Sequence, residues 1–105
     1  MKQFKAEYTN EALEQYAKLE KSSKKKIIKA ISIFEQVGTD YKNINDLGNG
    51  LFELKPDNVR AYFKYHENKI IIIGFITIKK TQKTPKRYIE QAIKNIENYL
   101  KGNKK

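Results

Sequence analysis

The clearest periodicity in this sequence lies between residues 51 and 85, where apolar and polar positions alternate in step with the two-residue repeat of a β-strand. In residues 51–55, Phe52 and Leu54 fall on one face and Glu53 and Lys55 on the other. In Val59–His66, Ala61, Phe63 and Tyr65 form an apolar face, while Arg60, Tyr62, Lys64 and His66 form a basic one. Residues 69–78 are almost entirely apolar, the pattern of a strand covered on both sides. The links 56–58 and 66–69 are short enough to force antiparallel hairpins.

The flanking segments complete the pattern. Residues 2–8 alternate, with Phe4, Ala6 and Tyr8 inward, and predict a short strand. Thr9 and Asn10 offer a cap for a short helix whose apolar positions are Leu13, Tyr16, Ala17 and Leu19. Ser22 and Ser23 offer a second cap, after which Ile27, Ile28, Ile31, Phe34 and Val37 recur at helical spacing up to Gly38. These two helices should form a hairpin. Residues 39–50 concentrate Asp40, Asn43, Asn45, Asp46, Gly48, Asn49 and Gly50 around Ile44 and Leu47, which predicts an ordered loop. Thr84 as N-cap and Pro85 at the first helical position open a last helix with Ile89, Ala92, Ile93, Ile96 and Leu100 inward, closed by Gly102. The expected fold is α+β, in the order β-α-α-β-β-β-α. Its helices cover the apolar face of one antiparallel sheet and leave the other face partly open. With 105 residues and no repeat or linker, residues 1–105 are expected to form a single domain.

Charge narrows the range of partners. The chain carries 22 Lys plus Arg against 12 Asp plus Glu, a formal charge of +10, which favours a polyanionic partner, either nucleic acid or an acidic protein. The longest apolar run, from Ile70 to Ile78, is far below the roughly 18 residues that span a bilayer. No hydrophobic signal core follows Met1, so the expected place is the cytoplasm, with no membrane partner. Cysteine is absent and His66 is the single histidine, which leaves almost no ligands for zinc. The acidic residues Glu11, Glu14, Glu20, Glu35, Glu90 and Glu97 are spread over helical stretches rather than clustered for magnesium; no metal or cofactor is expected.

The basic strand face is the candidate for chemistry. Lys55, Arg60, Tyr62, Lys64 and His66 would floor a groove, with Lys79, Lys80 and Lys83 at its rim, combining phosphate-binding charge with a ring on which a base can stack. That combination suits single-stranded RNA. RNA supplies its own nucleophile, the 2′-hydroxyl, so cleavage needs only a proton acceptor, a donor and stabilisation of the phosphorane. Lysine, arginine and tyrosine can provide all three without a metal. The same residues have structural readings too. Arg60 can pair with Glu53 across the hairpin, Tyr62 can serve β-propensity, His66 borders a turn, and Lys64 and Lys69 can protect an edge. Lys24 and Lys25, within the run 24–26 beside Lys21, read either as a solvated surface or as a phosphate-contacting patch.

The segments Gly50-Leu51-Phe52-Glu53-Leu54-Lys55 and Arg60-Ala61-Tyr62-Phe63, then an apolar strand, then Lys79-Lys80-Thr81-Gln82-Lys83-Thr84-Pro85 leading to Ile89 and Ala92, resemble the RelE/ParE toxin superfamily, in particular its HigB-type, phage-associated branch. The likeness covers the second half of the chain by motif and the first half by element order. The resemblance implies the toxin of a type II toxin-antitoxin pair, a metal-independent endoribonuclease acting on messenger RNA on the ribosome and silenced by a helix-turn-helix antitoxin. Position by position, it implies catalytic roles for Lys55, Arg60, Lys79 and Lys80 and an RNA contact at Lys83, while the reading of the residues themselves adds Tyr62 and His66 as further catalytic candidates and Lys64, Lys24 and Lys25 as RNA contacts. The sequence departs from the family at Lys55, where arginine is common, and at Thr77, where an aromatic residue usually precedes the paired lysines. The oligomeric state is left open. Two other functions remain: a non-catalytic inhibitor of DNA gyrase, as in ParE-type relatives, and a plain nucleic-acid-binding module.

Overall fold

The computed structural model describes residues 3–67, 69–79 and 83–102. Its order is β1 (Lys5–Tyr8), α1 (Asn10–Ala17), α2 (Lys21–Val37), a 3-10 turn (Gly38–Asp40), β2 (Ile44–Gly48), β3 (Leu51–Leu54), β4 (Val59–His66), β5 (Ile70–Ile78) and α3 (Lys86–Gly102). The five strands form one sheet in the order β1-β5-β4-β3-β2. The α+β class and the two hairpins around β4 are as expected.

Three features differ from the expectation. First, β2 lies within the segment expected to be loop, where Ile44 pairs with Leu54 and Asn45 with Glu53. A strand partner supplies ladder bonds that outweigh the weak β-propensity of Asn and Asp. Second, the sheet is mixed, since β1 runs parallel to β5 with Lys5 opposite Ile70 and Tyr8 opposite Ile73. The helical hairpin carries the chain from β1 to β2 at the opposite edge, and three successive β-hairpins then bring β5 back beside β1 running in the same direction. Third, the helices do not share one face. Ile27, Ile31 and Phe34 of α2, with Ala12 of α1, pack on Leu54, Ala61, Phe63, Ile71 and Ile73. Ala92 and Ile96 of α3 pack on Leu51, Tyr62 and Ile72, the residues that alternation sends to the opposite side. The basic face of β4 is therefore partly roofed by α3.

Local chemistry explains the helix ends and the close approach of α3. Thr9 caps α1 by accepting a hydrogen bond from Ala12 N at 3.1 Å, and Gly38 ends α2 with φ of 60°. Ser22 and Ser23 do not cap α2: the helix starts at Lys21 after Glu20, with no side-chain cap, and Ser23 is buried. Leu13, Ile28 and Val37, expected inward, are exposed, and Ala12 takes the place of Leu13 in the core. Gly74 sits at a bulge of β5 opposite the step from Tyr62 to Phe63, and a Cβ there would lie 2.7 Å from the carbonyl oxygen of Ala92. Its lack of a side chain lets α3 close onto the sheet. Among the described residues, no helix is long and apolar enough to cross a membrane.

Candidate functional site: a cation cluster around a buried carboxylate

At the end of the sheet nearest the start of α3, residues on the α3 side line up across strands. Asn45, Glu53, Tyr62 and Phe75 form one cross-strand row. Lys55 follows Glu53 beyond the end of β3, and Arg60 pairs with Thr77 in the neighbouring row. The β3–β4 ladder ends at Leu54 and Ala61, and Lys55 and Arg60 are the next residues on either side of the short link that follows.

Glu53 is the centre of the arrangement, and its side chain has no exposed surface. Asn45 Nδ2 donates to its Oε1 at 3.2 Å, and Thr84 Oγ1 donates to its Oε2 at 3.2 Å. Each of these neutral partners in turn accepts from a lysine: Lys55 Nζ donates to Asn45 Oδ1 at 3.1 Å and Lys79 Nζ to Thr84 Oγ1 at 3.2 Å. Arg60 lies between them, with Nε 3.7 Å from Glu53 Oε2. Its Nη1 donates to the carbonyls of Asp57 and Val59, which ties the guanidinium to the turn before β4. Burial of one carboxylate among three cations satisfies the general requirement that a buried charge be paired and hydrogen-bonded. The pairing of Arg60 with Glu53 that the hairpin register suggested is thus present, and it does not remove Arg60 from the cluster.

Thr84 was expected to cap α3. Its hydroxyl instead serves Glu53 and Lys79, and Pro85 stands before the first helical residue, its carbonyl accepting from Tyr88 N at 3.0 Å. Tyr62 is fully buried, with its ring 5.8 Å from Phe75, so it offers no open surface to a base. Its buried hydroxyl lies near Glu53 and Thr84 but meets neither in good hydrogen-bond geometry among the described residues, and burial, then the Glu53 carboxylate, push the phenol well above its ordinary range.

An open cleft of about 560 Å³ adjoins the cluster at Lys79, with Thr77, Arg87, Tyr88 and Lys18 among its lining residues. Tyr88 is half-buried, 5.0 Å from Phe75, and carries the Arg87 guanidinium 5.4 Å from its ring centre. This is the ring that alternation along the strands did not reveal: it comes from α3, and its stacking on Phe75 depends on the tertiary fold. Glu53, Asn45 and Thr84 were also missed as site residues. The signal for Glu53 was a carboxylate on the basic face of the hairpin, opposite Tyr62 and on the same face as Lys55 and Arg60.

The remaining expected site residues are placed apart. His66 is at the far end of β4, six residues from Arg60 or about 20 Å at strand rise, with Nε2 3.3 Å from Glu67 Oε1. Lys64 is half-buried on the α3 side, separated from Arg60 by Tyr62. Lys24 and Lys25 lie on α2, across the sheet from the cluster, with Lys24 Nζ 5.6 Å from the Tyr16 ring centre. Lys83 is exposed just before Thr84, and Lys80 lies outside the described residues. The structure therefore assembles Lys55, Arg60 and Lys79 and leaves His66, Lys64, Lys24 and Lys25 away from them.

Comparison with known proteins agrees with this architecture. The fold is RelE-like: a chain of the crystal structure of the archaeal RelE-RelB complex from Pyrococcus horikoshii OT3 superposes with a TM-score of 0.61 at 15% sequence identity, covering 74% of this chain and 97% of that one. Among family models, the one described as Phage derived protein Gp49-like (DUF891) matches residues 14–97. The chain belongs to this Gp49-like family. No curated protein matches it in sequence.

Proposed function

We propose that this protein is the toxin of a type II toxin-antitoxin pair, and that it cuts messenger RNA on the ribosome by metal-independent attack of the 2′-hydroxyl on the adjacent phosphate. The observation that carries the reading is the convergence of Lys55, Arg60 and Lys79 at one end of the sheet, beside a cleft lined by Arg87 and Tyr88. The RelE-like fold and membership of the Gp49-like family support it. So does the net charge of +10, which attracts a polyanion from a distance.

The chemistry follows from residue type. The phosphorane carries more negative charge than the ground-state phosphodiester, so fixed cations lower its energy selectively. Arginine stays charged and suits the non-bridging oxygens. Among the described residues Nη2 of Arg60 makes no hydrogen bond within the protein and is the part of the fork left for a phosphate. Lysine can exchange a proton, so of Lys55 and Lys79 one, in its neutral form, takes the proton of the 2′-hydroxyl as its oxygen bonds to phosphorus, and the other, charged, gives a proton to the 5′-oxygen as its bond to phosphorus breaks. Tyr88 supplies a face for a base at the cleft, the part first assigned to Tyr62. Lys83, exposed beside Thr84, adds a further cation, the sequence position of Lys80 next to Lys79 makes it a candidate RNA contact as well, and Lys24 and Lys25 form a second phosphate-contacting surface. The partner that silences the protein is an antitoxin encoded beside it, with acidic residues that answer the basic cluster. Both proteins act in the cytoplasm.

The test is regulated expression with mapping of RNA ends. Growth should stop, transcripts should carry 2′,3′-cyclic or 3′-phosphate ends, and Arg60→Ala or the double change Lys79→Ala with Lys80→Ala should relieve both effects. Growth arrest with intact transcripts would overturn the ribonuclease. Inhibited supercoiling by purified gyrase would then point to the inhibitor function.

A further inference from the structure

We propose that Glu53 is the positioning residue of this site, an anionic anchor that orders Lys55 and Lys79 through two neutral spacers, Asn45 and Thr84, while leaving both lysines uncompensated by a direct ion pair. The inference rests on the ribonuclease reading for its purpose, but its geometry stands alone. The two branches are alike in form. One oxygen of Glu53 accepts from Asn45, which accepts from Lys55; the other accepts from Thr84, which accepts from Lys79. Among the described residues neither lysine forms an ion pair with a carboxylate.

That design resolves a conflict in any phosphate-cutting site built from lysine. A free lysine on a strand end or loop loses side-chain conformational entropy when a ligand orders it. An ion pair to a carboxylate would order it beforehand, but the carboxylate would also cancel the charge the phosphate needs and compete with it. A neutral amide or hydroxyl orders the ammonium by hydrogen bonding and keeps the full negative charge a bond further away. The spacers depend on the carboxylate in turn. Asn45 can offer Oδ1 to Lys55 because its amide group is engaged by Glu53, and Thr84 can accept from Lys79 because its own proton is committed to Glu53. Burial of Glu53 keeps it out of the substrate's reach, so its effect is exerted through the lysines.

The arrangement makes a crossed prediction. Side-chain NMR of the labelled full chain reports the order of each lysine Cε–Nζ group, with exposed Lys25 as the mobile reference. Asn45→Ala should release Lys55 alone, Thr84→Val should release Lys79 alone, and Glu53→Gln should release both; Thr84→Ser should restore Lys79. In a translating extract, Thr84→Val should lower the cleavage rate roughly 10- to 100-fold, the scale of a misplaced catalytic group. Apparent affinity for RNA should change much less, and Thr84→Ser should recover the rate. Urea unfolding checks that each variant is folded, and Thr84→Val, nearly isosteric, carries the test where Glu53→Gln fails to fold. Lysines as ordered in Thr84→Val and Asn45→Ala as in the wild type would overturn the anchor, as would full cleavage by the folded variants. A wild-type protein that never cleaves RNA would overturn the ribonuclease instead, and the lysine order would still decide the anchor.

Discussion

Gly74→Ala tests whether the approach of α3 to the sheet is set by one missing side chain. A Cβ at this position would stand 2.6 Å from Ile96 Cγ1 and 2.7 Å from the Ala92 carbonyl oxygen. Ile96 can adjust its rotamer, whereas the carbonyl is part of the helix backbone and can retreat only if α3 moves. The same glycine offers its own carbonyl to Asn95 Nδ2 at 2.9 Å, a buried bond that a shift of the helix would stretch. Overpacking of this kind costs roughly 1–3 kcal/mol. Restricting the unfolded chain by replacing glycine returns about 0.4–1 kcal/mol. Taken at the middle of each range, the net loss is about 1 kcal/mol, a fall in Tm of roughly 4–8 °C for a domain of this size. Thermal melts followed by circular dichroism, with urea unfolding at one temperature, measure it. Ile96→Ala removes one of the two obstructions, so Gly74→Ala should cost less in that background, and the double-mutant cycle should show coupling. An unchanged melting point, or full additivity of the two changes, would refute the claim that Gly74 sets the distance.

Arg60→Lys keeps the charge near Glu53 but loses the Nη1 that donates to the Asp57 and Val59 carbonyls; it should cost about 1.5–3 kcal/mol in urea unfolding and abolish most RNA cleavage. Tyr62→Phe removes a buried hydroxyl that makes no well-formed hydrogen bond among the described residues, so stability should hold or rise by up to about 1 kcal/mol, and cleavage should continue because the ring lies beneath α3. A loss of cleavage there would return the hydroxyl to the chemistry. Burial, then the Glu35 carboxylate, then Tyr16, push the Tyr8 phenol from 10.0 up to about 12. The folded chain keeps a proton that the unfolded chain has lost between those values, so the contribution of Tyr8 is complete below pH 10 and fades as pH rises towards 12. Urea midpoints across the alkaline range should fall less steeply in Tyr8→Phe than in the wild type.

The parts of the fold that were legible in the sequence are those set by local periodicity. Alternation in residues 59–66 sorted Ala61, Phe63 and Tyr65 from Arg60, Tyr62 and Lys64 correctly, and Gly38 marked the end of α2. Alternation does not say what covers each face. Tyr62 read as a surface ring because its neighbours on that face are charged, yet α3, many residues later in the chain, lies over it. The strand β2 was hidden for a related reason. Asn43, Asn45 and Asp46 carry turn propensity, and only pairing with β3 overrides it.

The site divides along the same line. Lys55 and Arg60 flank a short hairpin link, so their closeness follows from register, and the choice of Arg60 and Lys55 as partners required nothing beyond the sequence. Asn45 and Thr84 come from outside that hairpin, one on a strand that read as loop and one on a residue that read as a helix cap. Each of those local readings assigned the side chain a plausible job of its own, and that is why neither pointed to Glu53. A buried glutamate on a strand whose neighbours on the same face are Lys and Arg is the signal that connects them. Glu53 alternates with Phe52 and Leu54, it stands one row from Arg60, and a carboxylate in that position under a packed helix has to find donors from whichever segments pass nearby. The requirement to satisfy a buried charge recruits residues that propensity assigns elsewhere, and it is also what places two lysines at fixed points beside Arg60.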